Sequence, residues 1–444
     1  MQEKFEATII ILSAGDGERM NSSIPKVLHE VGCQPLIEYV LKLSTLISLN
    51  TSDIYMVVSK NLKKNKHFNE ICNQYVFKQV LQEKKLGTGD AVKIACNHVE
   101  NLKDLVMVLY GDTPFIKQKT IYCMLQQIRD GADLSIVAFN AKDPTGYGRI
   151  ISSNNSKAVE IIEDKDASQT QKDISLCNSG IMLMKKETLI DFLRCNDKPI
   201  NTVEFYLTDI VKHAVNKSKV CTYIIADEEE VRGINDKEQL AIAEEYMQTV
   251  ITKRMMQDGV TIIKPETSYF AVDIKAFPDV MIHPNVFIGK NTVIMNGAKI
   301  HSFSHIEGAL IEEGAIVGPF ARIRPTTKIG KNSKIGNFVE VKNSLLMQEV
   351  KAGHLSYIGD TTLYNDVNVG AGTVFCNYDG KNKHRSEVGE KSFIGSNTSI
   401  ISPITIKRKA TIAAGSVITR DVEENDLAIA RSKQTNLKNK SKVE

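Results

Sequence analysis

The chain has 444 residues, of which 42% are hydrophobic, and its 56 basic and 53 acidic side chains leave a formal charge of +3. That length holds two or more domains with substantial cores, and the near-balance of charge argues against a general nucleic-acid binder. No apolar run approaches the roughly 20 residues that span a bilayer. The stretch Ile9–Leu12 is too short and too close to a glycine turn for a signal peptide, so a cytoplasmic protein without membrane insertion is expected.

Residues 1–225 alternate strand-like and helix-like segments. The strands are expected at Thr8–Leu12, Ile54–Val58, Val76–Val80, Leu105–Leu109, Leu134–Phe139 and Gly180–Met184, with helices between them such as Pro35–Leu46 and Lys119–Arg129. This alternation predicts an α/β domain built on a mostly parallel sheet. The first strand runs into Leu12-Ser13-Ala14-Gly15-Asp16-Gly17-Glu18-Arg19-Met20, and Pro25-Lys26-Val27-Leu28 follows. A glycine turn there offers backbone N–H groups to an anion, and Arg19 and Lys26 add positive charge. The third glycine of a dinucleotide fingerprint is missing. Leu86-Gly87-Thr88-Gly89 opens a predicted helix. Tyr110-Gly111-Asp112 ends an apolar strand, a common place for a metal-binding carboxylate. Gly146-Tyr147-Gly148-Arg149 is a second glycine turn. Singly, each segment reads equally well as an ordinary turn or helix cap.

The eight cysteines (Cys33, Cys72, Cys96, Cys123, Cys177, Cys195, Cys221 and Cys376) are scattered, with no CxxC pair. They read as reduced thiols, mostly core fillers rather than disulfide partners or zinc ligands. Asp227–Glu230 reads as a solvated turn. Residues 236–257 carry Leu240, Ala243, Tyr246, Met247, Val250 and Ile251 at helical spacing, which predicts a helical arm between two domains. The expected layout is a domain at 1–230, a linker arm at 231–257 and a second domain at 258–444, with a polar, basic tail from Ser432 that frays.

In the last third of the chain an aliphatic residue recurs every six positions. The runs are Ile282 to Ile306, Ile311 to Val341 and Val388 to Ile418. Neither a helix nor a flat strand repeats at six; a triangular coil with one short strand per side does. A parallel β-helix is therefore expected from about residue 265 to 425. Glycines that follow the aliphatic residue, such as Gly289, Gly318, Gly330, Gly336, Gly370 and Gly395, are expected where the backbone turns a corner. The period slips between Val341 and Val388, and residues 376–387, CNYDGKNKHRSE, read as a loop ejected from a corner onto a functional face. The repeat resembles the hexapeptide acyltransferases, whose β-helix is left-handed and whose chains pack as trimers, so a homotrimer is expected by resemblance.

The segments of the first half, in their order, are similar to the sugar-1-phosphate nucleotidyltransferases, with a Rossmann-like domain. Over essentially its whole length the chain resembles the bifunctional N-acetylglucosamine-1-phosphate uridylyltransferase and glucosamine-1-phosphate acetyltransferase family. The residues that carry this are LSAGDGERM, PKVLH, LQEKKLGTG, YGDTPF, PTGYGRI, EDKDA, CNSGI and GIN, then GPFARIRP, GNFVEVK, AGHLSYIGD, NVGAGT, CNYDGKNKH, IGSNT, ATIAAG and AIAR.

The resemblance implies UTP and acetyl-CoA as co-substrates, Mg²⁺ as the metal, and glucosamine 1-phosphate and N-acetylglucosamine 1-phosphate as small-molecule partners. It implies that Leu12, Ser13, Ala14, Gly15, Gln82, Gly87 and Thr88 hold the uridine nucleotide. Tyr110, Gly111, Gly148, Glu163 and Asn178 line the sugar-phosphate pocket, Asp112 and Asn235 hold the metal, and Arg19 and Lys26 meet the triphosphate. In the second half it makes His354 the catalytic base. Glu340 and Asn377 orient the imidazole and substrate, and Arg324, Lys342, Tyr357, Asn368 and Lys383 bind the sugar phosphate. Ala371, Asn377, Tyr378, Ser396, Ala414 and Arg431 resemble coenzyme-binding positions. The chain departs from the family at Ser13, Asp16, Glu18 and Asp90, where alanine, lysine, threonine and histidine are usual. Two further readings stand beside this one: a nucleotidyltransferase whose β-helix only oligomerises, and a non-catalytic protein that retains the fold.

Overall fold

A run of six buried residues, Thr8–Ser13, forms strand β1, an interior strand of the N-terminal sheet. A strand apolar on both faces suits a sheet covered by helices on both sides. In the computed structural model, which describes residues 4–15, 17–84, 86–153, 157–195 and 204–440, the chain divides into two compact units, 1–244 and 245–444. The other strands of the first sheet are β2 (Ile54–Val58), β3 (Lys78–Leu81), β4 (Leu105–Tyr110), β5 (Leu134–Asn140), β6 (Arg149–Ser153), β7 (Lys157–Ile162), β8 (Leu176–Lys185) and β9 (Cys221–Ile225). Their order across the sheet is β3-β2-β1-β4-β8-β5-β9-β7-β6.

The block β3-β2-β1-β4 is parallel throughout. Strand β8 runs against both β4 and β5, and β7 runs against β9, so the sheet is more mixed than the alternation predicts. Long β8 follows a β-strand hairpin rather than a crossover helix, which permits the antiparallel return. The expected strand at Val76 starts later, at Lys78, and Val76 is exposed. The helices used below are α1 (Leu36–Ile47), α2 (Thr88–His98), α3 (Gln118–Arg129), α4 (Lys186–Cys195), α5 (Asp209–Asn216) and α6 (Lys237–Gln257).

The segment read as a solvated turn is a short helix, Glu228–Val231, with Glu230 buried. Its carboxylate accepts from the Lys117 backbone N–H at 2.9 Å, pairs with Lys117 Nζ at 3.1 Å and accepts from the Thr120 hydroxyl. In α6, Ala243, Met247, Ile251 and Met255 are buried at steps of four, while Val250 is exposed. The division between the units falls inside this helix, at Glu244 and Glu245.

In the C-terminal unit the six-residue period becomes three parallel sheets of ten, nine and eight short strands. Each strand pairs with the one about 18 residues later, as Ile288 with Ile306 and Ile306 with Ile323. The expected break is narrower than the sequence suggested. Leu346, Ala352, Ile358, Leu363, Val369 and Phe375 continue the buried column through the region of the slip. Sides of five residues instead of six, 341 to 346 and 358 to 363, are what spoil the period.

The corners are not made by the glycines that follow the aliphatic residues. They are made three residues before each inward side chain, by Asn285, Asn291, Phe303, Phe320, Asn332 and Phe338 among others, with φ between 55° and 62°. Of the glycines expected at corners, Gly318 alone has positive φ. A Cβ on Gly336 would lie 1.9 Å from the Gly353 carbonyl oxygen of the next coil, so close approach between coils is what demands glycine there. Small buried residues two places before the inward one, such as Thr292, Ser304, Ala321 and Ser333, fill what remains of the narrow interior. Among the described residues no helix is long and apolar enough to cross a membrane.

Candidate functional site

Strand order reverses between β1 and β4, and ligands of open α/β sheets bind at such switch points, beyond the carboxyl ends of the strands. A cavity of about 350 Å³ lies there, lined by Leu12, Ser13, Ala14, Gly15, Lys26, Gln82, Gly87, Thr88, Tyr110, Asp112, Glu204 and Tyr206 among others. Ten of the residues expected to bind nucleotide or sugar phosphate are thus brought together. The Gly111 N–H donates to the Leu12 carbonyl at 3.0 Å, which locks the ends of β4 and β1 side by side. The Ser13 hydroxyl is buried without a protein partner. Gln82 donates to Asp90 at 2.8 Å, so the acid that stands in place of the usual histidine fixes this amide. Gly87 has φ +106°, and a Cβ there would sit 2.3 Å from the Phe205 carbonyl.

Asp112 and Asn235 converge on one cation, the Lys26 ammonium. Lys26 Nζ donates to Asp112 Oδ2 and, at 3.0 Å, to Asn235 Oδ1. The 233–235 loop is held there by the Ile234 N–H, which donates to the Asp112 carbonyl at 3.0 Å. Tyr110 is held neutral, its phenol pushed well above the usual range by burial and then by Asp112 and Glu163. Glu163 accepts from the Thr208 hydroxyl at 2.7 Å, and the Asn178 N–H donates to the Gly148 carbonyl at 2.8 Å.

Arg19 is placed differently from Lys26: it is exposed on the turn Glu18–Met20 and does not line the cavity. Glu18 lines a second polar cavity of about 350 Å³ that shares Ser13, Gly15, Lys26 and Val27 with the first. Asp16 lies outside the described residues. Arg149, in the second glycine turn, is 2% exposed and binds Asp164 at 2.9 Å and the Lys172 carbonyl at 3.2 Å, so it props the turn from behind. Glu204 and Tyr206 were not anticipated. They come from a loop with no motif, and their link to the cavity wall is a set of backbone bonds: Phe205 N–H to the Leu86 carbonyl at 2.7 Å and Gly89 N–H to the Phe205 carbonyl at 2.9 Å.

In the β-helix, His354 Nδ1 lies 2.6 Å from Asn337 Oδ1 of the preceding coil. An amide oxygen accepts, so Nδ1 carries the proton and the Nε2 lone pair is left for chemistry. The two residues expected to orient imidazole and substrate make these contacts within the chain. Glu340 pairs with Arg324 at 2.9 Å, and Asn377 donates to Asp360 and to the Tyr357 hydroxyl, the latter at 3.4 Å. Asn337 is the side chain that His354 Nδ1 touches, and only its register, one coil before His354, could have signalled it.

Lys342 and Lys383 lie side by side, and Lys383, burial and Arg324 together lower the Lys342 ammonium below its usual range. Such crowding of cations marks a place for an anion. The ejected loop is an ordered hairpin. Asp379 accepts from the backbone of Lys381 and Asn382 at 2.8 and 2.7 Å and pairs with His384 at 2.6 Å, while Tyr378 and Lys383 face each other as a β-bridge. Asn368 pairs in register with Lys351 and Phe393. Ala371, Ser396 and Ala414 occupy the same place as His354 on the following coils, two residues beyond each inward side chain. Arg431 closes the column by donating to the Ala414 carbonyl at 2.6 Å.

Residues 8–233 match the nucleotidyl transferase family, residues 308–343 the bacterial transferase hexapeptide repeat, and residues 387–420 the hexapeptide repeat of succinyl-transferase. The bifunctional protein GlmU of Bradyrhizobium sp. is 42% identical over 434 residues, which is 96% of this chain and 94% of that one. The bifunctional protein GlmU of Wolbachia pipientis is 43% identical over 96% of this chain and 97% of its own. The chain belongs to the bifunctional GlmU family. The GlmU family pairs the two halves found here, so the β-helix is the left-handed hexapeptide type and carries a transferase site of its own. The readings of a bare scaffold or a non-catalytic relic are not favoured.

Proposed function

We propose how the two sites divide the work. The chain acetylates the amine of glucosamine 1-phosphate with acetyl-CoA, then transfers uridylyl from UTP to N-acetylglucosamine 1-phosphate and releases pyrophosphate, giving UDP-N-acetylglucosamine. The observation that carries the acetyl half is the His354 to Asn337 contact, which leaves Nε2 as a base. The substrate amine attacks the thioester carbonyl, its proton passes to Nε2, and the coenzyme thiolate leaves as the C–S bond breaks. Arg324, Lys342 and Lys383 hold the sugar phosphate, Arg as a fork and Lys as point charges. The column Ala371, Ser396, Ala414 and Arg431 is a track for the coenzyme along the coil axis.

In the N-terminal pocket the sugar phosphate attacks the α-phosphorus of UTP, and positioning with charge neutralisation supplies the catalysis. The oxygens of Asp112 and Asn235 already converge on a cation, which fits a hard metal such as Mg²⁺. Asp112 and Asn235 would hold the metal, whose contribution there would be to neutralise triphosphate charge. Lys26, beside those two oxygens, would meet the phosphates. Gln82, Gly87 and Thr88 hold the base and ribose end, and Tyr110, Glu163 and Asn178 the sugar.

The test is thiol release from acetyl-CoA with glucosamine 1-phosphate and no UTP. Release that vanishes in His354→Ala while uridylyl transfer persists is the expected result. Unchanged release in that variant removes His354 from the chemistry.

A further inference from the structure

A cluster of ligating side chains lies away from the pocket, on the two helices that follow β8. Asp191 and Cys195 are four residues apart on α4, hence on one face. His213 comes from α5, and its Nε2 lies 2.9 Å from Asp191 Oδ2. The carboxylate oxygen, the thiol sulfur and the imidazole nitrogen all lie within 4.8 Å of one another. One sulfur, one nitrogen and one oxygen on a half-exposed surface is the donor set of a borderline-soft ion, and three protein ligands leave a fourth position for water. The His213 ring is fixed by Phe192, which meets it edge-on at 5.7 Å. Phe192 also stacks on Phe205 at 5.3 Å, and Phe205 is the residue whose backbone is bonded to the Leu86–Gly89 wall of the nucleotide cavity.

We propose that Asp191, Cys195 and His213 form a site for a zinc-class divalent cation that clamps α4 to α5 and stiffens the wall of the nucleotide pocket. Binding displaces the Cys195 thiol proton to solvent, shifts the His213 proton from Nε2, which faces Asp191, to Nδ1, and forms Zn–S, Zn–N and Zn–O bonds, with no redox change. None of the three residues belongs to the machinery described above.

The test titrates the full chain with Zn²⁺ in excess Mg²⁺, which keeps the oxygen site of Asp112 and Asn235 occupied. One equivalent is expected to bind, with the dissociation constant raised at least about tenfold in Cys195→Ser and in His213→Gln. Co²⁺ in place of Zn²⁺ should give a thiolate charge-transfer band in the near ultraviolet that Cys195→Ser lacks. Cys195 is exposed, so its serine variant is expected to fold as the parent does. Zinc should also slow amide exchange at residues 205–208 in the parent and not in Cys195→Ser. Binding unaffected by either variant, as would follow if the metal sat on the facing imidazoles His283 and His301, overturns the site. Unchanged exchange at 205–208 overturns its coupling to the pocket.

Discussion

Two charged residues of the glycine turns behave differently from their neighbours. Glu18 is exposed at the mouth of the second cavity, beside the nucleotide pocket rather than within it. A carboxylate so placed repels a triphosphate or is indifferent to it, so Glu18→Thr should leave the UTP dissociation constant unchanged or lower, as read by calorimetry. A marked rise would give Glu18 an active role. Arg149 is the opposite case, a buried guanidinium that answers Asp164 and two carbonyls. Removing the guanidinium leaves a partly exposed carboxylate and two carbonyls without their donor, at about 2 kcal/mol. Arg149→Ala should lower the unfolding free energy of the N-terminal unit, read from urea titration, by that amount. A fall of sugar-phosphate affinity with unchanged stability would instead make it a ligand contact.

At the scale of the element, the β-helix carries a histidine ladder whose protonation works against the fold. His301 is lowered below its usual 6.5 by burial, then by His283 and Lys299, and His305 is lowered by burial, then by Arg322. A depressed folded value means that the unfolded chain takes up protons first as pH falls. The stability these groups allow is therefore full above about pH 6.5 and is lost as pH drops toward the folded values. The melting temperature of the C-terminal unit should fall as the pH drops below about 6.5, and the fall should be shallower in His301→Gln. A flat profile would show that these imidazoles are protonated equally in both states. The same coils show how tightly the element constrains its residues: the aromatic column Phe303, Phe320 and Phe338 stacks at 4.8 and 5.1 Å although each ring stands at an exposed corner.

At the scale of the molecule, we propose that a second copy of the chain completes the acetyl-transfer site. His354 stands at the corner before the strand Tyr357–Gly359. Lys342 is in register with Gly359, at its far end. Five residues at about 3.3 Å each put up to about 16 Å between base and cations along that face. A second copy, presenting its own cations to this His354, would close that distance, in keeping with an oligomer of hexapeptide-repeat chains. Mixing His354→Ala with Lys342→Ala protein, after dissociation and reassembly, should restore thiol release that neither has alone. No recovery from assembled mixtures would place the whole site within one chain.

The period of six, the strand-end motifs and their order were enough to read both folds and the family, because an inward aliphatic residue on every side of a coil and a glycine beside a phosphate are demands on residue type. His354 and Asp112 stood out because they sit in motifs that the chain shares with that family. What the sequence could not reveal depends on register between segments far apart in the chain. Asn337 reaches His354 only because two coils stack, Glu340 turns to Arg324 for the same reason, and Lys26 bridges Asp112 and Asn235 across 86 and 209 residues. The cysteines make the point most clearly. Only Cys177 and Cys221 are buried fillers, while Cys195 is exposed beside Asp191 and His213. Local chemistry is written in residue identity, but which side chains meet is decided by the packing of helices and coils, where no single spacing carries the information.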